Sequence, residues 1–365
     1  MSLTQHIKPR LILLHIGLIL VGTLGGLAAQ AMGLPLPFVL GSLILVAIVA
    51  QLDELAGIRG GSSLLGDFKF DDQFRALFIA LIGVAIGAQI TWAVIAAIPR
   101  AALSFLALTL FVPIAFWVNY QIFRRVGKYD HATALFSASP GGLYEAIMLG
   151  EKSGADIRLL TLAQFLRIIF VVTLLPIGLS LYIGHPVGSS GGMSLSPADA
   201  GYEHVPLVIV TGLVGLFLGY RLNVPAPQLI GPLLAAAVVS VSGLAVLDMP
   251  PWMLSAAQIV IGTTLGTRFT GIRPAMLMRG AWLGFLTVGS MLVIGGIMAI
   301  AVMPVTGESF DVLLISFSPG GVTEMALIAL SLNANPAFVT MHHLYRIVLT
   351  VFVIVRAAKR FIPDL

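Results

Sequence analysis

Apolar residues in this chain come in long runs, separated by short polar stretches that carry most of the charge. Crossing roughly 30 Å of hydrocarbon takes about 20 mainly apolar residues, and such runs recur from Leu11 to Val355. Backbone amides find no water there, so each run has to be a helix. The pattern predicts helices over 11–29, 35–51, 74–98, 101–123 and 157–184, then over 205–221, 227–246, 252–270, 276–303 and 336–357. Two further segments, 132–153 and 312–331, are interrupted by Ser-Pro-Gly-Gly. Lys8 and Arg10 before the first run resemble the start of a signal peptide. The run outlasts such a peptide's apolar stretch and lacks a small-residue cleavage site, so it reads as the first transmembrane helix. The expected fold class is an all-α polytopic membrane protein.

The runs repeat. Leu34-Pro35-Leu36-Pro37 before Gly41 has its counterpart in Val224-Pro225-Ala226-Pro227 before Gly231. Ile82-Gly83-Val84-Ala85-Ile86-Gly87 recurs as Ile261-Gly262-Thr263-Thr264-Leu265-Gly266. Ser139-Pro140-Gly141-Gly142 recurs as Ser318-Pro319-Gly320-Gly321, and Glu145, Thr161 and Arg167 match Glu324, Thr340 and Arg346 at a constant offset of 179. Self-similarity of this kind takes precedence over other readings. It divides the chain into a first membrane repeat (11–184), a Gly/Ser/Pro linker (185–204) that includes Ser189-Ser190-Gly191-Gly192, and a second membrane repeat (205–357).

Charge placement orients the repeats. If each interrupted segment fails to cross, Lys8/Arg10, Arg59/Lys69, Arg124/Arg125/Lys128, Arg221, Arg273/Arg279 and Arg356/Lys359/Arg360 all fall on the cytoplasmic side, where basic residues concentrate. The Lys/Arg-free stretches 185–204 and 302–311 then fall outside, and Arg100 alone is misplaced. The reading favoured is therefore inverted repeats of about five transmembrane helices, each with one broken or re-entrant segment. Six crossings per unit, giving parallel repeats, is the alternative.

Composition narrows the function. The 365 residues are 58% apolar and 10% charged, whereas a soluble chain is about 25% charged. Cysteine is absent, which excludes disulfides, zinc thiolates and thiol catalysis. The 20 basic residues are scattered around helix ends without a basic stripe, so no direct nucleic-acid contact is expected.

Candidate chemistry gathers at the Ser-Pro-Gly-Gly copies. Ser suits an N-cap, Pro a first helical position, and glycine leaves backbone amides open, so a helix is expected to start mid-membrane at each copy. Such a terminus favours an anion, and paired broken helices are the usual pointer to a transporter's central site. The plainer alternative is that Pro and Gly let helices kink and pack closely. Ser139, Pro140, Gly141, Gly142, Ser318, Pro319, Gly320 and Gly321, with Arg167 and Arg346 inside apolar helices, are the candidate substrate-binding residues. Glu145, Glu324, His342 and His343 are the candidates for ion coupling. Because Glu and Arg are 22 residues apart in both units, a buried salt bridge locking the interrupted segment to the next helix is the structural alternative. His342 and His343 replace Ala163 and Gln164 and break the repeat's symmetry. Adjacent helical side chains diverge by about 100°, so the two histidines are not expected to share a metal; no other metal and no cofactor is expected. The repeated glycines of the Gly-x-x-x-Gly segments read as packing residues, and Trp92, Trp117, Trp252 and Trp282 as interfacial anchors. The stretch bearing Asp53, Glu54, Asp67, Asp71 and Asp72 reads as a solvated connector.

The duplicated Ser-Pro-Gly-Gly units, each followed by Glu and then by Arg on the next helix, resemble the bacterial AbrB-type membrane family, which also carries an ammonia monooxygenase label. The resemblance spans essentially the whole chain. It implies a multi-pass protein of the bacterial inner membrane with a name taken from regulation of gene expression. A copper monooxygenase would need clustered soft or imidazole ligands, and the seven histidines are dispersed apart from one adjacent pair. A transcription factor would need a soluble domain. The expectation is a non-enzymatic secondary transporter of a small anionic metabolite, with a membrane-embedded sensor acting indirectly on gene expression as the alternative. The expected partners are the lipid bilayer, a small anionic ligand and H⁺ or Na⁺ as coupling ion, with homo-oligomerisation open.

Overall fold

A computed structural model describes residues 9–34, 36–58, 64–66, 68, 70–90, 92, 101–185, 187, 202–224, 226–332 and 334–361, without the side chains of 9, 10, 144, 145, 148, 323, 360 and 361. Over these residues the apolar runs become helices and no strand forms. In chain order they are α1 (Pro9–Ala31), α2 (Pro37–Ile58), α3 (Asp72–Gly87), α4 (Ala102–Gln121), α5 (His131–Ser137), α6 (Leu143–Lys152) and α7 (Ile157–Ile183). They continue as α8 (Val205–Arg221), α9 (Pro227–Ser242), α10 (Pro251–Gly266), α11 (Pro274–Thr306), α12 (Phe310–Phe317), α13 (Val322–Ser331) and α14 (Pro336–Phe361). Seven of the described helices, namely α1, α2, α4, α7, α8, α11 and α14, are long and apolar enough to cross a bilayer. The chain is thus a multi-pass α-helical membrane protein.

Helix limits differ from the sequence pattern where polar groups act locally. α2 runs to Ile58 instead of 51, so Asp53 and Glu54 ride on its last turns. The Asp53 carboxylate accepts the amides of Leu64 and Leu65 at 2.7 and 3.0 Å, tying the connector back to the helix. α3 ends at Gly87, and of the remaining expected residues to 98 only Gly87's neighbours to Ile90 and Trp92 are described. α9 stops at Ser242 because Gly243 adopts φ +68°, a left-handed C-terminal cap that only glycine takes at little cost. The four tryptophans are each more than half exposed, at 52% to 70%, as residues facing lipid or headgroups are. Most of the linker, and Arg59, Lys69, Thr91 and Arg100, lie outside the described residues.

Contacts group the chain into two compact units, each drawing on both sequence repeats. The first comprises Met1–Ala85, Pro186–Ala236 and Val246–Pro274. It is built on glycine contacts that bring helix backbones together. A Cβ on Gly41 of α2 would lie 2.1 Å from the Gly25 carbonyl oxygen of α1, and one on Gly231 of α9 would lie 2.1 Å from the Gly215 oxygen of α8. Gly262 of α10 meets α2 as closely, its Cβ position 1.9 Å from Ser42 Oγ.

The second unit comprises Ile86–His185, Ala237–Ala245 and Ala275–Leu365, and it holds both Ser-Pro-Gly-Gly breaks. Its buried core includes Phe123, Phe136, Leu160, Leu283 and Ile354. α11 lies against α7, with Gly280 facing Leu162 and Leu166, and Gly284 facing Phe170.

Candidate functional site

Each Ser-Pro-Gly-Gly separates two short helices, α5 from α6 and α12 from α13. The helix does not restart at Ser-Pro, as the sequence suggested. Gly142 and Gly321 are the residues that precede the new helices, with φ +62° and −72°. A residue before proline is pushed out of the α region, and Ser318 accordingly has ψ 142°. Neither serine hydroxyl caps the helix that follows: Ser139 Oγ donates to the Gly141 carbonyl and accepts the Gly141 amide at 3.4 Å, and Ser318 donates back to Leu314 O at 2.6 Å. Both serines are 1% exposed.

The first half-helix of each pair therefore ends inside the protein with carbonyls that its own turns cannot satisfy. The next long helix supplies the donors, from matching positions in both copies. On α7, Gln164 Nε2 donates to Phe136 O at 2.9 Å and Arg167 donates to Ser139 O at 2.5 Å. On α14, His343 Nε2 donates to Ile315 O at 2.9 Å, and Arg346 donates to the Ser318 carbonyl and, at 2.5 Å, to Gly320 O. All of these residues are 28 apart in sequence except the last pair. A guanidinium at a helix C-terminus also complements its partial negative charge.

Arg167 and Arg346 are 7% and 1% exposed, and each keeps an Nε without a hydrogen-bond partner. They are near enough to interact electrostatically. Arg346 makes no ion pair with Glu324: among the described residues the salt bridge found is His204–Asp248, 3.7 Å apart. The Glu–Arg lock is therefore replaced, in the second repeat, by an Arg–carbonyl lock. Glu324, 6% exposed, instead bends back over Gly321, its Oε2 standing where a side chain on that glycine would sit. This is the place of the glutamate in a capping box. Glu145 holds the matching position on α6, and its side chain lies outside the described residues.

The two breaks come together. Gly141 of the first faces α14 of the second repeat, its Cβ position 3.3 Å from Thr350 Oγ1 and 3.8 Å from Arg346 Nε. Thr350 and Thr340 are both buried on α14 with hydroxyls that have no partner. Arg346 thus binds the carbonyls of one break and turns its free Nε toward the other.

The two histidines point to different neighbours. His342 Nδ1 lies 2.8 Å from Phe338 O and so carries the proton, while Nε2 lies 2.7 Å from Ser104 Oγ. The ring stacks on Phe105 with centroids 4.2 Å apart. His343 Nδ1 is buried without a partner. Ser104 and Thr350 escaped the sequence reading, since single hydroxyls in apolar helices carry no pattern. Gln164 escaped for another reason: it differs chemically from His343, yet both donate to the carbonyl 28 residues earlier.

Comparison with known proteins identifies the family. Residues 55–362 match the family described as "Transition state regulatory protein AbrB". The chain is 25% identical over 358 residues to "Uncharacterized protein YhjN" of Bacillus subtilis (strain 168), covering 94% of this chain and 92% of that protein. It is 26% identical over 244 residues to "Putative regulator AbrB" of Escherichia coli (strain K12), covering 63% of this chain and 67% of that protein. With most of its length matched by one family model, this chain belongs to the AbrB family of helical membrane proteins.

Proposed function

We propose that this protein is a secondary transporter of a small anionic metabolite in the bacterial inner membrane, with its substrate site where the two Ser-Pro-Gly-Gly breaks meet. The observation that carries the reading is the pair of buried arginines. A buried charge is costly unless paired, and among the described residues these two guanidiniums meet carbonyls and no carboxylate. Their free Nε donors and the Thr350 hydroxyl would take the oxygens of a carboxylate or similar anion, beside the amides at the starts of α6 and α13. Glu145, Glu324 and the His342–Ser104 pair are the groups assigned to ion coupling, with H⁺ or Na⁺ as the ion. The reading assigns no catalytic residue and no cofactor.

One contact supports the inverted arrangement. Arg279, at the start of α11, donates to Gly127 O, just beyond α4, at 2.6 Å. Five crossings per repeat put both residues on the cytoplasmic side, whereas six would put them on opposite faces of the bilayer. Orientation-inverted repeats with broken helices at a common site are a transporter architecture, which is fold-level analogy.

The printed name of the Escherichia coli relative favours a second reading, a membrane sensor that binds the same anion without moving it. Proteoliposomes loaded with pH or sodium gradients and screened with small carboxylates separate the two. Gradient-driven flux lost in Arg167→Ala and Arg346→Ala supports transport; saturable binding without flux supports the sensor.

A further inference from the structure

α4 does not end as an ordinary helix. Its last turn widens into a π-helical segment, Ile122–Val126, in which Gly127 N–H reaches back to Ile122 O at 3.1 Å. Lys128 then takes φ +55°, a left-handed conformation that a side-chain-bearing residue rarely adopts. The result is an open concavity of about 570 Å³ lined by Tyr120, Gln121, Arg124, Arg125, Lys128 and Tyr129.

Among the described residues three cations line it, and no acid does. Arg124 is fixed in place by donating to Tyr129 O at 2.6 Å, and Arg279 is anchored next to it on Gly127 O. Two acids nearby serve as helix caps: Asp130 accepts the Thr133 amide at the start of α5, and Asp156, close enough to act electrostatically on Tyr129, accepts the Arg158 and Leu159 amides at the start of α7. The concavity lies at the end of a candidate span, Ala102–Val126, and so at the level where phosphate groups of lipids sit.

Basic residues at a helix end are what insertion orientation alone would place there. Solvated orienting charges need neither a concavity nor a backbone bent to gather them. We propose that this concavity is a binding site for a phosphate-bearing anion, supplied by the headgroup of an anionic phospholipid of the cytoplasmic leaflet. Arg125 and Lys128 hold the phosphodiester, Arg124 sets the floor, and the tyrosines border the glycerol. The site is separate from the arginine pair at the helix breaks, and it stands whether or not the protein transports.

The test uses the full-length protein purified in detergent, with lipid retention followed by native mass spectrometry and stability by thermal unfolding. Phosphatidylglycerol should be retained and should raise the unfolding temperature, whereas phosphatidylcholine and inorganic phosphate should not. The Arg125→Ala/Lys128→Ala variant leaves Arg124 and its Tyr129 contact intact. It should retain phosphatidylglycerol roughly 30-fold less well, the expectation for losing two basic residues at an anionic surface, and should unfold at the wild-type temperature in phosphatidylcholine. Equal retention by the variant overturns the site, and stabilisation by inorganic phosphate alone overturns the lipid as its source. The absence of any lipid preference leaves orienting charges only and overturns the proposal.

Discussion

The arginines carry two roles at once, and each predicts a different substitution outcome. Arg346 satisfies two buried carbonyls and Arg167 one. A buried carbonyl left without a donor costs about 1–3 kcal/mol. Arg346→Ala should therefore destabilise the protein by roughly 2 kcal/mol or more, and Arg167→Ala by less, measured as thermal unfolding in detergent. Arg346→Lys keeps a charge and a donor but loses the free Nε. It should recover most of the stability while leaving anion affinity impaired. Equal stability of the wild type and Arg346→Ala would show that the carbonyl contacts contribute nothing. The sequence made these arginines visible, because charge in an apolar helix demands a reason. It could not show what they bind: the constant Glu–Arg spacing suggested an ion pair, and a backbone carbonyl leaves no mark in sequence. For the same reason Gln164 and His343 read as a break in symmetry although they make the same bond.

Among the helices, ends and crossings govern the outcome. Asp130 caps α5, and Thr133 links it to α7 by accepting the Asp156 amide at 2.7 Å. Burial pushes the Asp130 carboxyl up, but hydrogen bonds from the hydroxyl and amide of Thr133 and from the amides of Asp130 and Ala132 together outweigh it and hold it below the ordinary carboxylate value of 3.8. A carboxyl lowered by folding contributes stability that is full above its unfolded value and is lost as pH falls through the folded one. Asp130→Ala should thus cost about 1 kcal/mol near pH 7, typical of a lost N-cap, with the difference from wild type shrinking as pH falls below 3.8. A pH-independent difference would contradict the charged cap. The glycine crossings act by exclusion. Gly41→Ala and Gly231→Ala place a methyl against a carbonyl oxygen that cannot yield without moving a helix. Each should destabilise by about 1–3 kcal/mol, whereas Gly17→Ala, with nothing within 4 Å, should be neutral in the same unfolding assay. Helix positions were largely legible because apolar length fixes them. Their ends were less so: α2 outlasts its apolar run because Asp53 finds amides to bind, and the Ser-Pro sequence imitates a helix start that the chain delays until Gly142 and Gly321.

For the whole molecule, orientation and the anion site are the two claims at stake. The chain has no cysteine, so single cysteines introduced at Lys128 and Glu308 report sidedness directly. Inverted repeats require a membrane-impermeant maleimide to label Glu308→Cys in intact cells and Lys128→Cys only after permeabilisation. Protection of both positions would favour parallel repeats with six crossings each. The central claim is that two buried arginines, which among the described residues meet carbonyls and no carboxylate, bind an anion at the helix breaks. Its most direct test is equilibrium binding of small carboxylates to purified protein, comparing wild type with the stable Arg167→Lys and Arg346→Lys variants. The account predicts saturable binding by the wild type that weakens at least tenfold in each variant, about 1.4 kcal/mol per free Nε. Undiminished binding in both, or no carboxylate bound by the wild type, would contradict it and leave the arginines as ties for broken helices alone.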